Sequence, residues 1–376
     1  MKTVKLLSAA VLACALMESA AAMAAEPPSV SAASMCLVEA SSGRMLAQKD
    51  ADTPQLIAST TKIMTALIVL ESCDPDSVVV IRPEWTGIEG SSMYLVPEQR
   101  LTIRELLFGL MLASGNDAAT ALACITAGSV EAFAERMNER ARALGCRNTC
   151  FENPHGLDGE GHRVSAADLA RITREALKDP LFREIVSSKS AAAGGRTYTN
   201  HNRLLGTCDG VFGVKTGYTE AAGRTLVTCC ERNGMTLICV TLNDPDDWRD
   251  HAALYDWAYD AYHSSDIPDL PEEWTLPVIG GTALTVTVSP AEELTVFDAG
   301  DDIVETEIFL PKFVYAGIRA GESAGQVIVY VNGTRYASAE LRYNETVPRS
   351  AVRKDTALGR LAEIIGMGER KVYELT

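Results

Sequence analysis

The run from Thr60 to Glu71 most constrains how this chain can fold. Ile63, Met64, Leu67, Ile68 and Leu70 leave it nearly all apolar, so a helix here must be enclosed on most sides and lie at the centre of a domain. Strand-like text stands at both ends of that domain. Ser34 to Gln48 reads as a hairpin turning at Ser41-Ser42-Gly43, and Arg224 to Cys230 and Met235 to Leu242 alternate around Asn233-Gly234, a two-residue hairpin signal. Between them the text is helical. Thr102-Ile103-Arg104-Glu105 is a capping box ahead of Leu106 to Leu112, and Ser114-Gly115 breaks that helix before another begins near Asn116. Further helices are expected at 130–144, ended by Gly145, at 166–178, opened by Ser165 with Asp168 and stopped by Pro180, and at 247–262. Terminal strands around a helical middle make an α+β domain.

After Pro268-Asp269-Leu270-Pro271 the pattern changes to short alternating segments: Leu284 to Val288, Leu294 to Phe297, Val304 to Leu310, and Gln326 to Val331 turning at Asn332-Gly333 into Arg335 to Tyr343. These predict a small all-β domain. A length of 376 residues suits two domains. The expected division is a leader over 1–24, a catalytic domain over 25–265, a β-sandwich-like domain over 270–347 and a tail over 348–376. In the tail, Leu358, Leu361, Ile364, Ile365 and Met367 line one side of an amphipathic helix, a candidate peripheral membrane contact broken by Gly366 and Gly368.

The leader has Lys2 and Lys5, an apolar stretch from Leu6 to Leu16, and Ala22-Met23-Ala24 before Ala25, the layout of a secretory signal. The protein is therefore expected outside the cytoplasm, with association at the outer face of the cytoplasmic membrane a candidate alongside it. Cys14 after Val11-Leu12-Ala13 gives a second reading as a lipoprotein processing site, which Leu12 fits poorly. A formal charge of −16 disfavours nucleic acid, whose phosphates need a concentrated basic face. Of ten cysteines, all before residue 240, removal of a leader containing Cys14 leaves an odd number. They read as small buried side chains, with Cys146 and Cys150 the one pair set apart as a candidate bridge. The five histidines show no His-Glu-x-x-His spacing, so a metal peptidase is disfavoured and no cofactor is expected.

Ser59-Thr60-Thr61-Lys62 places a hydroxyl at the start of the buried helix and an amine one turn later on the same face. Serine needs a base to attack at neutral pH, and a lysine desolvated beside another cation can lose its proton and serve. Alone the pattern is commonplace. Ser114-Gly115-Asn116 at a helix break and Lys215-Thr216-Gly217 entering a strand hairpin change that, because three elements can then converge on one site.

The set Ser-x-x-Lys, Ser-Gly-Asn and Lys-Thr-Gly resembles the low-molecular-mass penicillin-binding proteins, the D-alanyl-D-alanine carboxypeptidases of serine peptidase family S11. The likeness extends to Ser91-Ser92-Met93-Tyr94, Asn153-Pro154-His155-Gly156-Leu157-Asp158 and Asp209-Gly210-Val211-Phe212-Gly213-Val214, and covers residues 33 to about 345. It implies a β-lactamase/transpeptidase-like catalytic domain, with the all-β part as the family's C-terminal domain. It also implies a substrate, the peptidoglycan stem peptide ending in D-Ala-D-Ala, and acylation by β-lactam antibiotics. By that resemblance Ser59 attacks the carbonyl between two D-alanines and Lys62, neutral, takes its proton, while Ser114 passes a proton to the departing D-alanine. Asn116 orients Lys62 and the substrate amide. Lys215 lowers the Lys62 pKa and with Thr216 attracts the terminal carboxylate; Gly217 lets the peptide lie close. The oxyanion sits between the backbone N–H groups of Ser59 and Tyr218, where relatives often carry His. Thr60 and Thr61 read as helix-start residues, His155 and Asp158 as loop-structuring, and Arg249 as a cation in a turn where the family varies.

Two other readings share parts of this pattern. A class A-like β-lactamase shares Ser-x-x-Lys and Lys-Thr-Gly but reads Ser-Asp-Asn and supplies a Glu for deacylation, whereas position 115 is Gly here. A non-catalytic penicillin- or cell-wall-binding protein would retain the fold without turnover, against which the intact Ser59, Lys62, Ser114 and Lys215 stand. An endopeptidase that cuts cross-links would use the same residues.

Overall fold

A computed structural model of the protein describes residues 26–350 apart from 266, 268 and 301. The expected leader and the tail helix lie outside the described residues. The described residues form two compact units, one reaching Ser265 and taking in Phe297 and Asp298, the other made of the chain from Ile267 to Val296 and from Asp302 onward.

The first unit is built on β1 (Ser34–Glu39), β2 (Met45–Lys49), β3 (Val211–Thr219), β4 (Gly223–Arg232) and β5 (Met235–Leu242), which pair antiparallel in the order β2-β1-β5-β4-β3. Strand periodicity divides their side chains between two cores. Cys36, Val38, Val227, Cys229, Ile238 and Val240 face one core with the helical middle. Met35, Leu37, Leu226, Cys230, Leu237 and Cys239 face the other, beneath the helix Asp247–Ala261. β1 is therefore buried at every position. The β4–β5 turn has Asn233 and Gly234 at φ of 51° and 80°, the left-handed pair that a two-residue hairpin requires.

The helices of this unit are α1 (Lys62–Ser72), α2 (Ile103–Leu112), α3 (Asn116–Ala127), α4 (Val130–Ala143), α5 (Ala166–Ala176), α6 (Pro180–Ser187) and α7 (Asp247–Ala261). α1 packs against α2, α3, α4 and α5, and every residue from Lys62 to Val69 is buried, as its unbroken apolar text demands. Burying each of Ile63, Met64, Leu67 and Ile68 contributes about 1.5–3 kcal/mol. The capping box forms: Thr102 Oγ1 accepts from Glu105 N at 3.1 Å while Glu105 Oε2 accepts from Thr102 N at 2.8 Å.

Three local expectations change. The buried helix begins at Lys62, and Ala58–Thr61 forms a 3₁₀ turn leading into it, so Ser59 stands on the turn. Pro180 opens a helix instead of simply ending one: Asp179 accepts from the N–H groups of Leu181 and Phe182, and proline, lacking an N–H, suits the first helical position. A hairpin of Ser190–Ala193 with Arg196–Thr199, absent from the sequence reading, turns on Gly194 and Gly195, both at positive φ. The nine described cysteines are all free thiols, with Cys146 buried and Cys150 exposed, so the candidate bridge is not formed.

The second unit is all-β. Its strands β6 (Trp274–Ile279), β7 (Thr285–Pro290), β8 (Val304–Phe309), β9 (Val314–Tyr315), β10 (Ser323–Val331) and β11 (Thr334–Tyr343) lie in the order β8-β10-β11-β7-β6-β9. Val286, Val288, Val327, Ala339 and Leu341, fully or almost fully buried, form much of its core.

Candidate active site

Ser59 is half-buried on its 3₁₀ turn, preceded by Ala58 at φ 46°, a left-handed conformation that an L-residue holds only when its surroundings enforce it. The enforcement is visible. Thr60 Oγ1 donates to Ile57 O at 2.6 Å and Thr61 Oγ1 to Ala58 O at 2.8 Å; from β4, Thr225 Oγ1 donates to Ile57 O at 3.0 Å. His162 fixes Thr61 in turn. Its Nδ1 accepts from Glu152 N at 3.1 Å, so the Nε2–H faces Thr61 Oγ1 at 2.8 Å, and burial holds the ring neutral with a pKa pushed down to about 4. Gly156, at φ 87°, passes so near that a Cβ there would lie 1.9 Å from Ala58 O. Thr60 and Thr61 thus serve the turn.

Lys62 is fully buried, and its Nζ lies 2.9 Å from Ser59 Oγ, 2.7 Å from Asn116 Oδ1 and 2.7 Å from His155 O. Asn116 Nδ2 donates to Glu89 O at 2.6 Å, which can only accept, so the amide oxygen must be the atom facing Lys62. Two fixed acceptors therefore occupy two amine hydrogens. The third position, toward Ser59, is the one where a proton can move. Burial first, then the charge of Lys215, push the Lys62 pKa well below the ordinary lysine value, while the Asp117 carboxylate opposes this. A neutral amine with its lone pair toward the serine hydroxyl is what this environment favours.

Asn116 and Ser114 arrive at the break between α2 and α3. Ser114 sits at φ 57° and its hydroxyl makes no hydrogen bond among the described residues. Asp117, which the sequence reading passed over, builds the wall beside them. Its buried carboxylate accepts from Met93 N at 2.9 Å, Leu95 N at 3.0 Å, Ser92 Oγ at 2.6 Å and Ala118 N at 2.9 Å, while Asn116 N donates to Ser91 O at 2.7 Å. Asn153 performs the corresponding task for the loop carrying His155 O: its side-chain oxygen accepts from Gly156 N at 2.7 Å and its amide donates to Leu157 O at 2.9 Å. The His155 ring is held neutral, chiefly by burial, with a pKa of about 4; Asp158 Oδ1 accepts from Thr219 Oγ1 at 2.9 Å.

The edge strand β3 brings the third motif. Lys215 is 2% exposed and donates to Thr216 O at 2.7 Å, and burial lowers its pKa to about 7. It pairs with Val227, which faces the core shared with α1, so its side chain leaves β3 on the side of Lys62, while Thr216, Gly217 and Tyr218 line the cleft. A Cβ on Gly217 would stand 3.0 Å from Ser59 N and 2.4 Å from Thr225 Oγ1, so only glycine lets β3 approach the serine. The Tyr218 side chain is 65% exposed.

The cleft holds about 350 Å³ and is lined by Ser59, Ser91, Ser114, Thr216, Gly217 and Tyr218, together with His201, Arg203, Arg224, Asp247 and Trp248. The last five were not singled out from sequence, because hairpin pairing and the start of α7 bring them together across the fold. Arg249 does not line the cleft; it is 73% exposed and pairs with Asp246 at 2.8 Å.

The fold is that of solved penicillin-binding proteins. The protein is similar to penicillin binding protein 5 from Haemophilus influenzae, 28% identical, with 86% of this chain and 99% of that one covered at a TM-score of 0.69. It is also similar to a peptidoglycan synthesis regulatory factor (PBP3) from Streptococcus pneumoniae, 25% identical over 85% and 100% of the two chains at a TM-score of 0.75. Its first unit has the β-lactamase/transpeptidase-like architecture. The model of the peptidase S11 family, D-alanyl-D-alanine carboxypeptidase, matches residues 21–246, and the chain belongs to that family. Among curated relatives, D-alanyl-D-alanine carboxypeptidase DacF of Bacillus subtilis is 29% identical over 336 residues, 85% of this chain and 86% of its own length.

Proposed function

We propose that the protein is an exported serine-type D-Ala-D-Ala carboxypeptidase that removes the terminal D-alanine from peptidoglycan stem peptides through an acyl-enzyme at Ser59, and that β-lactams acylate the same serine. The observation that carries this reading is the Lys62 amine, buried with two contacts taken by the acceptors Asn116 Oδ1 and His155 O and the third reserved for Ser59 Oγ. Family membership supplies the reaction class.

In acylation the Ser59 Oγ–carbon bond forms as its proton passes to Lys62, and the oxyanion is held by the N–H groups of Ser59 and Tyr218. The C–N bond then breaks. Ser114, whose hydroxyl makes no hydrogen bond among the described residues, carries a proton from the lysine to the departing amine. Water next gives a proton to Lys62 and bonds to the acyl carbon, and the Ser59 ester bond breaks with the proton returned to Oγ. Burial, helped by the charge of Lys215, keeps Lys62 neutral, and Asn116 holds both Lys62 and the substrate amide. Thr216 hydrogen-bonds the terminal carboxylate. We assign the chemistry to a catalytic domain over 25–265 and a supporting all-β domain over 270–347. The segment 1–24 acts as the export signal and the tail as a peripheral membrane contact. Among the described residues no helix is long and apolar enough to cross a membrane.

The test is D-alanine release from an N-acylated peptide ending in D-Ala-D-Ala, measured for wild type and Ser59→Ala alongside benzylpenicillin turnover. Release that vanishes in the variant, with penicillin hydrolysed far more slowly than it acylates, is expected. Release unchanged in Ser59→Ala would overturn the mechanism, and rapid penicillin turnover without peptide cleavage would indicate a β-lactamase.

A further inference from the structure

Two of the nine described thiols stand together at the foot of the strand that lines the cleft. β3 is entered through a tight turn in which Val211 N donates to Cys208 O at 3.3 Å, with Gly210 at φ 75°. Val211 is the ladder partner of Cys230 on β4, so the turn sets Cys208 beside Cys230. A Cβ on Gly210 would lie 2.5 Å from Glu231 O and 3.1 Å from Cys230 Sγ, so glycine is what admits this closeness. Both sulfurs point at one atom. Cys230 Sγ lies 3.3 Å from Asp209 O, and Cys208 Sγ lies 4.0 Å from it.

Strand alternation selects the pair. Cys230 and Cys208 pack on the core beneath α7, whereas Cys229, one residue away, is buried on the opposite face against the helical middle. Cys239 shares the α7 side but is fully buried and stands opposite Thr228, two positions along from Leu237, the partner of Cys230. Cys208 is the member open to a reagent, being half-buried where Cys230 is buried. Arg232 stands over it. Its Nη2 lies 3.5 Å from Cys208 Sγ, while Nε donates to Asp209 O at 3.0 Å and Nη1 to Asp256 Oδ1 at 2.9 Å. Burial raises the Cys208 pKa and the Arg232 charge opposes it; burial pushes Cys230 up to about 11. Accessible and beside a fixed guanidinium, Cys208 is the thiol that attacks first.

We propose that Cys208 and Cys230 form a reversible disulfide that ties the start of β3 to β4 and secures the cleft-lining loop ahead of it. That loop bears on the site, because His201 and Arg203 line the cleft and Asn202 Nδ2 donates to Gly213 O at 2.7 Å. The separate thiols of the structure are the reduced form of the pair. The Cys208 thiolate attacks one sulfur of an external disulfide, here oxidised glutathione, and a mixed disulfide forms as the first glutathione leaves as thiolate. The Cys230 thiolate then attacks the Cys208 sulfur, the internal S–S bond forms, and the second glutathione leaves. Two protein thiols are oxidised, one glutathione disulfide is reduced to two thiols, and these take up the two protons that the cysteines lost. Export, as proposed above, places the pair where disulfides persist, but forming the bridge requires neither export nor peptidase activity.

The experiment incubates the purified protein with oxidised glutathione, blocks the remaining thiols by alkylation and maps linked peptides by mass spectrometry. It is run on wild type, Cys208→Ser, Cys230→Ser and Cys229→Ser. One internal link, Cys208 to Cys230, is expected in wild type and Cys229→Ser, two hydrogens lighter than the reduced form and reversed by dithiothreitol. Cys230→Ser should stop at a mixed disulfide on Cys208, and Cys208→Ser should give no link. Bridged wild type should melt about 5 °C or more above its reduced form, because the unfolded chain loses freedom. A wild type that stays unlinked, or that keeps glutathione on Cys208 without resolving it, overturns the inference. So does a link to Cys229 or Cys239, or a melting point unchanged or lowered by the link. Wild type alone carries this result, so it stands even where a variant fails to fold. D-alanine release and benzylpenicillin acylation are read on the reduced wild type; their absence counts against the carboxypeptidase reading and leaves the bridge unaffected.

Discussion

Replacing Asp117 by asparagine tests how the wall of the site is held and how the charge of Lys62 is set. The carboxylate accepts from four donors, two at each oxygen: Met93 N and Ala118 N at Oδ1, Ser92 Oγ and Leu95 N at Oδ2. Asparagine can meet only one oxygen's pair. With its amide nitrogen at the Oδ2 position, the Ser92 hydroxyl can turn to accept, but Leu95 N–H then faces another donor in a buried place. One unsatisfied backbone group costs about 1–3 kcal/mol, and weakening of the remaining charge-assisted bonds adds to it, so Asp117→Asn should lose about 2–4 kcal/mol in urea unfolding. The same change removes a charge that raises the Lys62 pKa. The acid limb of the β-lactam acylation rate should therefore move to lower pH in the folded variant, since Lys62 then stays neutral further into acid. A stability loss below about 0.5 kcal/mol would refute the hydrogen-bond argument, and an acid limb moved to higher pH would refute the electrostatic one.

Gly156→Ala would push a Cβ to 1.9 Å from Ala58 O at a φ of 87°, so it should destabilise by about 2 kcal/mol or more and displace Ser59; a thermal midpoint and acylation rate equal to wild type would contradict this. Lys215 has a pKa of about 7 in the folded protein against an ordinary value near 10.5, so between those limits the unfolded chain binds more protons and stability rises with pH. Lys215→Met removes that contribution. Its gain in unfolding free energy from pH 7.5 to 9.5 should be smaller than wild type's by up to about 2 kcal/mol, and identical slopes would show that Lys215 is not desolvated. Thr102→Ala, which breaks the capping box far from the cleft, should cost about 1 kcal/mol and leave peptide turnover unchanged; an equal fall in turnover would show that α2 transmits strain to Ser114.

What the amino-acid sequence disclosed was whatever depends on neighbours along the chain. The enclosed helix, the Thr102 capping box, the Asn233-Gly234 hairpin and the spacing of Ser59 and Lys62 are local signals, and each has its counterpart in the structure. Pro180 is also local but ambiguous, since proline both ends one helix and opens the next, and only the Asp179 cap distinguishes the two. β6 was missed because Pro277 interrupts its alternation. The 3₁₀ turn at Ser59 was illegible because its cause is distant: Gly156, His162 and Thr225 hold Ala58 and Ile57 from other elements. The Arg224–Asp247–Trp248 group depends on strand register and the placement of α7, and the inward turn of Lys215 on which face of β3 is covered. Asp117 had a signal that was passed over: an acid directly after Ser114-Gly115-Asn116, at a helix start, has four N–H or O–H donors within reach once the chain folds.

The most direct test of the account is the mass of the intact protein after exposure to benzylpenicillin at neutral pH, followed by peptide mapping, for wild type, Ser59→Ala and Lys62→Met. The account predicts one adduct per wild-type chain, located on Ser59, none on Ser59→Ala, and acylation slowed by at least about a hundredfold in folded Lys62→Met. An adduct elsewhere, or a Lys62→Met variant acylated at the wild-type rate, would contradict the claim that a neutral buried lysine activates Ser59.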